Sequence, residues 1–524
     1  MHQQQPQTSR RQPNFVIMYM DDIGWGDFGA NWNPLCSSDT PFMDNLAKQG
    51  MRFTDFHSGA SACTPSRAAL LTGRLGKRTG VTQLFFTNSV GGLPLNETTM
   101  AESFKDAGYR TGMIGKWHLG MTKPFQPYHR GFDYYYGLPY SNDGGCVDQP
   151  GKNIPSCPPC PRDPDDISDA YWTTSEKYGK STDQNLRCDS TSAIPLFEKD
   201  TIIAQPVNLQ TLSRNYAEKA TEFIKNSKQT NDDRPFLLYV AFTHMHVPLL
   251  NMPEFTNSSK FRGSYGDALR ELDSTVQQIY NAVQDAGVEE NTLIWVTGDN
   301  GPWESKCQFG GDPGPFKGRW QKKNGGGSSS KTTVWEGGHR EPCFAYWLNH
   351  IKPNTLSNSI LSDMDIFPTI AGLAGISLPS NRKYDGIDIS KVLLNGEEIE
   401  KRVLFHPNSN PNFPENMGEF DAIRYNHYKA VYRTGGSPSC GGVEGEIRTH
   451  NPPLIFNLLK DPGEELPLDP DSLTYKYVHT LIEEARIRME HNILQDNTTV
   501  ADFSRSPDAI PCCNADHVAC RCEN

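Results

Sequence analysis

The sequence predicts an α/β protein: a large mixed, mostly parallel sheet sandwiched by helices, with a smaller C-terminal antiparallel sheet packed with a helix. Three observations carry this prediction. Uninterrupted apolar runs such as Asn14-Phe-Val-Ile-Met-Tyr-Met20 and Phe236-Leu-Leu-Tyr-Val-Ala-Phe242 read as strands covered on both faces. Helical stretches alternate with them, as parallel crossovers require. Beyond about residue 380 the texture changes to short strands and turns with one long helix.

The first strand stops at Asp21-Asp22. A helix over about 40–48, with Gly50 beyond it, precedes a short strand near 51–56. Pro65 suits a first helical turn, because its missing N–H is one that turn leaves unpaired anyway. The next helix therefore starts at or just after Cys63, continues through Ala68-Ala-Leu-Leu71 and ends at Gly73. A helix over 98–107 leads to a strand over 109–114, which feeds Gly115-Lys-Trp-His118. Residues 141–205 are irregular and carry cysteines, and read as a disulfide-pinned insertion. A helix over 209–226 leads into the strand that ends in Thr243-His-Met-His-Val-Pro248. An amphipathic helix over 266–285 precedes the strand Thr292-Leu-Ile-Trp-Val-Thr-Gly298, which ends in Asp299-Asn300. The Gly-, Lys- and Ser-rich stretch 301–330 reads as a flexible loop. Strands over 424–433 and 454–458, a turn at Asp461-Pro-Gly463 and a helix over 474–491 complete the small sheet. The expected organisation is a polar extension (1–13), a catalytic domain (14–380) and a C-terminal α+β subdomain with a cysteine-rich tail (381–524).

The 524 residues suffice for one large domain with an appendage, and 36% hydrophobic with 21% charged residues describes a soluble globular chain. A net charge of −12 argues against non-specific nucleic-acid binding. No apolar run approaches the roughly 20 residues of a membrane span. The N-terminus is polar and lacks the apolar core of a signal peptide, so any leader is not visible in this chain. Thirteen cysteines and sequons at Asn96, Asn257 and Asn497 point to an oxidising, secretory route. With Cys63 as the odd one out, the other twelve can pair completely. Cys157-Pro-Pro-Cys160 lacks the context of a redox or zinc motif.

Four expected strands end in polar clusters: Asp21-Asp22, Lys116 with His118, His244 with His246, and Asp299-Asn300. Sites in open α/β sheets form at such carboxyl ends. Asp21, Asp22, Asp299 and Asn300 offer only oxygen ligands, which suits a hard divalent cation, Ca²⁺ or Mg²⁺, and not zinc. Cys63 at a helix N-terminus, with Arg67 one turn on, reads either as an activated sulfur nucleophile in an anion pocket or as a packed core cysteine.

Cys63-Thr-Pro-Ser-Arg67 followed by Ala-Ala-Leu-Leu-Thr-Gly-Arg74 resembles the signature of the type I sulfatases. Gly115-Lys-Trp-His118 and Lys331-Thr-Thr-Val-Trp-Glu-Gly-Gly338 resemble further sulfatase segments. Within the family the likeness is to the arylsulfatase A group, with N-acetylgalactosamine-6-sulfatase next, on Gly91-Gly-Leu-Pro-Leu95, Tyr140-Ser-Asn-Asp-Gly-Gly-Cys146 and Cys512-Cys513. The resemblance implies an alkaline-phosphatase-like fold and hydrolysis of sulfate esters on aryl groups, sugars or lipids. It further implies that Cys63 is oxidised to formylglycine by a formylglycine-generating enzyme, and that its hydrate is the nucleophile beside Ca²⁺ held by Asp21, Asp22, Asp299, Asn300 and position 63. Arg67, Lys116 and Lys331 then clamp the sulfate, His246 and Lys331 assist the leaving alcohol, and His118 takes a proton from the hydrate's second hydroxyl. His246 is chosen over His244 because the family's histidine precedes x-Pro; Ser141 matches a substrate-side serine, and Cys307 a cysteine that pairs with the counterpart of Cys440. The destination implied is the lysosome or the cell exterior. A phosphate-ester hydrolase is disfavoured by a cysteine where such enzymes carry serine or threonine. A catalytically silent binding protein on the same scaffold is disfavoured by the intact catalytic positions. Substrate identity and homo-oligomerisation stay open.

Overall fold

A computed structural model describes residues 12–32, 38–163, 188, 192–229 and 234–522. In chain order its strands are β1 (Asn14–Met20), β2 (Met51–Phe53), β3 (Phe56–His57), β4 (Arg110–Gly115), β5 (Tyr134–Gly137), β6 (Leu196–Glu198), β7 (Thr201–Ala204) and β8 (Phe236–Ala241). These are followed by β9 (Thr292–Gly298), β10 (Cys343–Tyr346), β11 (Thr355–Ser357), β12 (Leu361–Ser362), β13 (Val403–Pro407), β14 (Phe420–Tyr425), β15 (Tyr428–Thr434) and β16 (Arg448–Asn457). The main sheet has ten strands in the order β11-β2-β10-β9-β1-β8-β4-β5-β6-β7. Its centre is parallel, and antiparallel pairs occur only where β10 meets its neighbours and along the β5-β6-β7 edge. Every residue of β1, β8 and β9 is buried, as expected of strands roofed on both faces.

The helices follow from local chemistry. Thr99 caps the Met100–Asp106 helix by accepting the Glu102 N–H, and the Glu102 carboxylate accepts the Thr99 N–H in return. The Cys63–Thr72 helix ends at Gly73 in the left-handed conformation (φ +68°). At the end of β4, Gly115 has φ +109°, and a Cβ there would lie 1.8 Å from the Ala241 carbonyl oxygen. Only glycine lets β4 approach β8 at this point.

Four expectations need correction. The end of the 141–205 insertion is not irregular: β6 and β7 add an antiparallel edge to the main sheet. The single strand expected over 424–433 is a hairpin, β14 and β15, turned at Asn426 with φ +50°. The short strand near 51–56 is split between β2, in the main sheet, and β3, which pairs with β12. The 301–330 stretch, read as a flexible loop, carries helical turns at Glu304–Phe309 and Gln321–Gly325.

Five disulfides occur among the described residues: Cys146–Cys160, Cys157–Cys188, Cys307–Cys440, Cys512–Cys520 and Cys513–Cys522. The Cys157 and Cys160 sulfurs pair outward and not with each other. Complete pairing of the other twelve fails at Cys343, a buried thiol in β10 that accepts the Trp295 indole N–H at 3.2 Å. Cys36, the 1–11 extension and most of 164–191 lie outside the described residues. The C-terminal tail docks on the insertion, where Arg521 bonds Asp148 and the Cys160 carbonyl.

Candidate active site

Four adjacent strands of the main sheet, β9-β1-β8-β4, are mutually parallel and end on one edge. Backbone hydrogen bonds continue past them: Asp299 N–H to Met20 O (2.9 Å), Asp21 N–H to His244 O (2.7 Å) and Lys116 N–H to Ala241 O (2.7 Å). The four polar clusters of the sequence are thereby held side by side. The Cys63–Thr72 helix adds Cys63, whose Sγ lies 3.6 Å from Asp21 Oδ1. The ligand atoms of Asp21, Cys63 and Asp299 lie within 4.8 Å of one another, as do those of Asp22, Cys63 and His246.

Cations and carboxylates interleave here. Lys116 Nζ is 2.6 Å from Asp21 Oδ2, Lys331 Nζ is 2.6 Å from Asp22 Oδ1, and Arg67 places Nε and Nη2 on Asp299 Oδ2 at 3.0 and 2.7 Å. Arg67 also donates to the Lys116 carbonyl at 3.0 Å and is fully buried, so its fork braces the carboxylates from behind. Burial disfavours charge on Asp21, but Lys116 and Arg67 outweigh it and hold that carboxyl well below its usual range. Burial raises Asp299 to about 7, with the Asp21 charge adding to the rise. Asp22 is raised by burial and Asp21 against the pull of Lys331. Burial opposes the charge on Lys331 as well, yet Asp22 keeps its ammonium protonated.

The donor set fits a hard divalent cation. It is oxygen-rich, two of its carboxyls are raised by burial and by the neighbouring Asp21 charge, and the Asn300 side-chain oxygen is buried without a hydrogen-bond partner. Asn300 turns its amide N–H onto Asp22 Oδ1 (2.7 Å), leaving that oxygen orphaned. A bound cation would relieve the crowding and take the free oxygen together.

The Cys63 thiol is pushed up to about 12 by burial, against the pull of Lys116 and Lys331. The bare-sequence reading of an activated thiolate is not supported by this environment, where burial favours the protonated thiol. His118 is buried with φ +62°; its Nε2 faces the Phe85 carbonyl at 3.2 Å and its Nδ1 has no partner. Burial, then Lys116 and Arg67, depress it well below the ordinary imidazole range. A neutral ring with a free lone pair is a proton acceptor. His246 Nδ1 donates to the Val247 carbonyl at 2.6 Å, so Nε2 is turned toward Asp22 (3.6 Å). His244 points elsewhere, with Nε2 at 3.2 Å from Glu271 on the Gly263–Asp285 helix. Ser141 is buried next to this loop and its carbonyl accepts the Gly144 N–H. The contact to the histidine loop comes instead from Asn142, whose amide reaches the His246 carbonyl at 3.4 Å.

Two participants were missed by sequence reasoning. Asp363 accepts hydrogen bonds from Ser66 and Tyr19, anchoring the Cys63 helix to β1. Trp303 lies against both His246 and Lys331. Trp303 has no sequence signal beyond following Asp299-Asn300, and Asp363 has none.

Comparison with known proteins agrees with this geometry. The family model described as Sulfatase matches residues 13–376, and that described as the C-terminal region of aryl-sulfatase matches residues 400–522. Arylsulfatase G of Canis lupus familiaris is 49% identical over 520 residues, covering 99% of this chain and 92% of that protein. Arylsulfatase A of Homo sapiens, the group suggested by the motifs, is 39% identical, covering 87% and 83% respectively. The crystal structure of the PsFucS1 sulfatase from Pseudoalteromonas sp. superimposes with a TM-score of 0.74 at 26% identity, covering 94% of this chain and 92% of that one.

Proposed function

The chain belongs to the sulfatase family and is a sulfuric ester hydrolase of arylsulfatase type; from that premise we propose how its residues act. Residue 63, as formylglycine, is the nucleophile, and Ca²⁺ is the metal held by Asp21, Asp22, Asp299 and Asn300. The single observation that carries this reading is a buried, crowded carboxylate set with an orphaned Asn300 oxygen, closed around residue 63. When present, formylglycine supplies a geminal diol, and Ca²⁺ supplies positive charge toward the sulfate oxygens.

The chain's own groups do the rest. Lys116 and Lys331 present ammoniums to the anion, and Arg67 keeps the carboxylates in place behind them. His118, neutral with Nδ1 free, accepts a proton from the second hydroxyl at residue 63. Burial, offset in part by Asp143, lowers His246 to about 4. An arriving sulfate brings negative charge beside it and favours the imidazolium, which with Lys331 can protonate the leaving oxygen at Nε2. Ser141 and Asn142 line the alcohol side, where aryl, sugar or lipid alcohols are the candidate substrates.

Cys63 and Arg67 are buried in the folded chain, so an enzyme converting Cys63 has to act before this helix packs. That fits maturation during export, as do the five disulfides and the exposure of Asn96, Asn257 and Asn497. We place the protein in the lysosomal or extracellular branch of that route. No helix among the described residues is long and apolar enough to cross a membrane.

The test is sulfate release from 4-nitrophenyl sulfate by protein made in a eukaryotic secretory host. Cys63→Ala is expected to lose about four or more orders of magnitude in kcat. Chelation should abolish activity, with Ca²⁺ restoring it better than Mg²⁺. Full activity in Cys63→Ala overturns the nucleophile assignment, and activity indifferent to chelation overturns the metal. An inert wild-type protein with modified residue 63 would instead favour a silent binding protein.

A further inference from the structure

Residues 301–330 border the site and contain a side chain to which neither the motifs nor the mechanism gives a role. Trp303 follows the Asn300-Gly-Pro turn beyond β9 and is half-buried. Its indole centroid lies 4.4 Å from Lys331 Nζ and 5.3 Å from the His246 ring, which is tilted by 52°. The same indole thus lies against both residues assigned to the leaving alcohol. The backbone repeats the coupling, since the Lys331 N–H donates to the Pro302 carbonyl at 3.1 Å.

The indole is itself held from several directions. Lys306, buried, lies with Nζ 4.2 Å from the same centroid and donates to the Ile154 carbonyl at 2.9 Å. Its N–H donates to the Trp303 carbonyl at 3.0 Å. The next residue, Cys307, is disulfide-bonded to Cys440. A simple hydrophobic wall does not call for two ammoniums on one ring. The negative face of an indole attracts them without neutralising them.

Asp22 alone does not suffice to place Lys331. It is 2.6 Å from that ammonium and 3.6 Å from His246 Nε2. A sulfate ester recruits the ammonium away from Asp22 toward its own oxygens. The indole is the contact that both Lys331 and His246 can keep while the ammonium moves from Asp22 to the substrate.

We propose that Trp303 is a positioning residue for sulfate ester cleavage, holding Lys331 and His246 at the leaving oxygen. This rests on the leaving-group roles given to those two residues. A group that places proton donors matters most when the departing alcohol is basic and matters little when it leaves readily as an anion.

The experiment compares kcat on phenyl sulfate and on 4-nitrophenyl sulfate for wild type, Trp303→Leu, Trp303→Phe and His246→Ala, with thermal midpoints as a folding check. Trp303→Leu keeps bulk and loses the π face; it is expected to slow phenyl sulfate about tenfold more than 4-nitrophenyl sulfate, the scale of one desolvated cation–π contact. Trp303→Phe keeps a weaker face and should show about threefold discrimination. Should the leucine protein not fold, the phenylalanine protein decides alone. Equal slowing of both substrates, or no slowing of either, overturns the positioning role while His246→Ala still discriminates. If His246→Ala treats both substrates alike, the leaving-group assignment fails and the proposal falls with it.

Discussion

Arg67 shows how little freedom single residues have in this site. Its guanidinium spans Asp299, Asp21 and the Lys116 carbonyl, and no atom of it reaches solvent. Burial opposes its charge, but Asp299 and Asp21 raise it further above an already high value, so it stays charged at every accessible pH. Removing it strands two carboxylates already crowded by Asp22. Arg67→Met is expected to lose about 3–5 kcal/mol of stability, the cost of breaking one side of a buried ion pair. Denaturant unfolding with and without added Ca²⁺ reads this, and added Ca²⁺ should recover part of the loss. A variant as stable as wild type would mean that Arg67 is not the brace. The same residue marks a limit of sequence reading: the motif identified Arg67 but assigned it to the sulfate, whereas its donors are turned to the carboxylates behind.

At the scale of elements, legibility follows burial and periodicity. β1 and β9 were readable to the residue, because fully covered strands are uninterrupted apolar runs closed by charged or polar residues. The Cys63–Thr72 helix was readable from Pro65 and Gly73. β6 and β7 were not, because short edge strands inside a Pro- and Ser-rich insertion carry no strong pattern and depend on pairing with β5. The β14–β15 hairpin was read as one strand because the turn at Asn426-His427 lacks glycine. The polar strand ends could be found in sequence; that β9, β1, β8 and β4 are adjacent could not, since strand order is a long-range outcome. The order of the candidate site residues along the chain gives no hint that Asp299 neighbours Asp21.

For the whole molecule, the question is what joins the small sheet to the large one. Glu336 accepts Arg340, Arg424 of β14 and Lys429 of β15 at 2.6–3.0 Å, and Lys429 reaches Glu464 at 3.0 Å. The Asp55, His57 and Glu336 ligand atoms lie within 4.8 Å of one another. Their carboxylates are committed to these cations, so this cluster joins the sheets and does not serve as a second metal site. Against it stack three buried histidines: His406 of β13 lies 4.1 Å from His339 and 5.2 Å from His57, and neither His406 nitrogen has a hydrogen-bond partner. Burial, then His339, Lys429 and His57, hold His406 well below the ordinary imidazole range. The folded state therefore keeps it neutral while the unfolded chain takes up a proton below about pH 6.5, so stability falls as pH falls. Each such histidine contributes about 1.4 kcal/mol per pH unit in that window. His406→Phe, which removes no hydrogen bond, should make the pH dependence of unfolding shallower by that amount between pH 6 and 5. An unchanged slope would show that His406 does not carry the acid sensitivity.

The structure buries the residue 63 thiol among lysines, an arginine and carboxylates, and in the proposed mechanism formylglycine stands in its place in the working enzyme. The most direct measurement is the mass of the proteolytic peptide spanning residue 63, from protein made in a eukaryotic secretory host. A peptide about 18 Da lighter than the cysteine form, as expected when sulfur and two hydrogens give way to a carbonyl oxygen, is the predicted result. An unmodified cysteine in a protein that releases sulfate at full rate would contradict it.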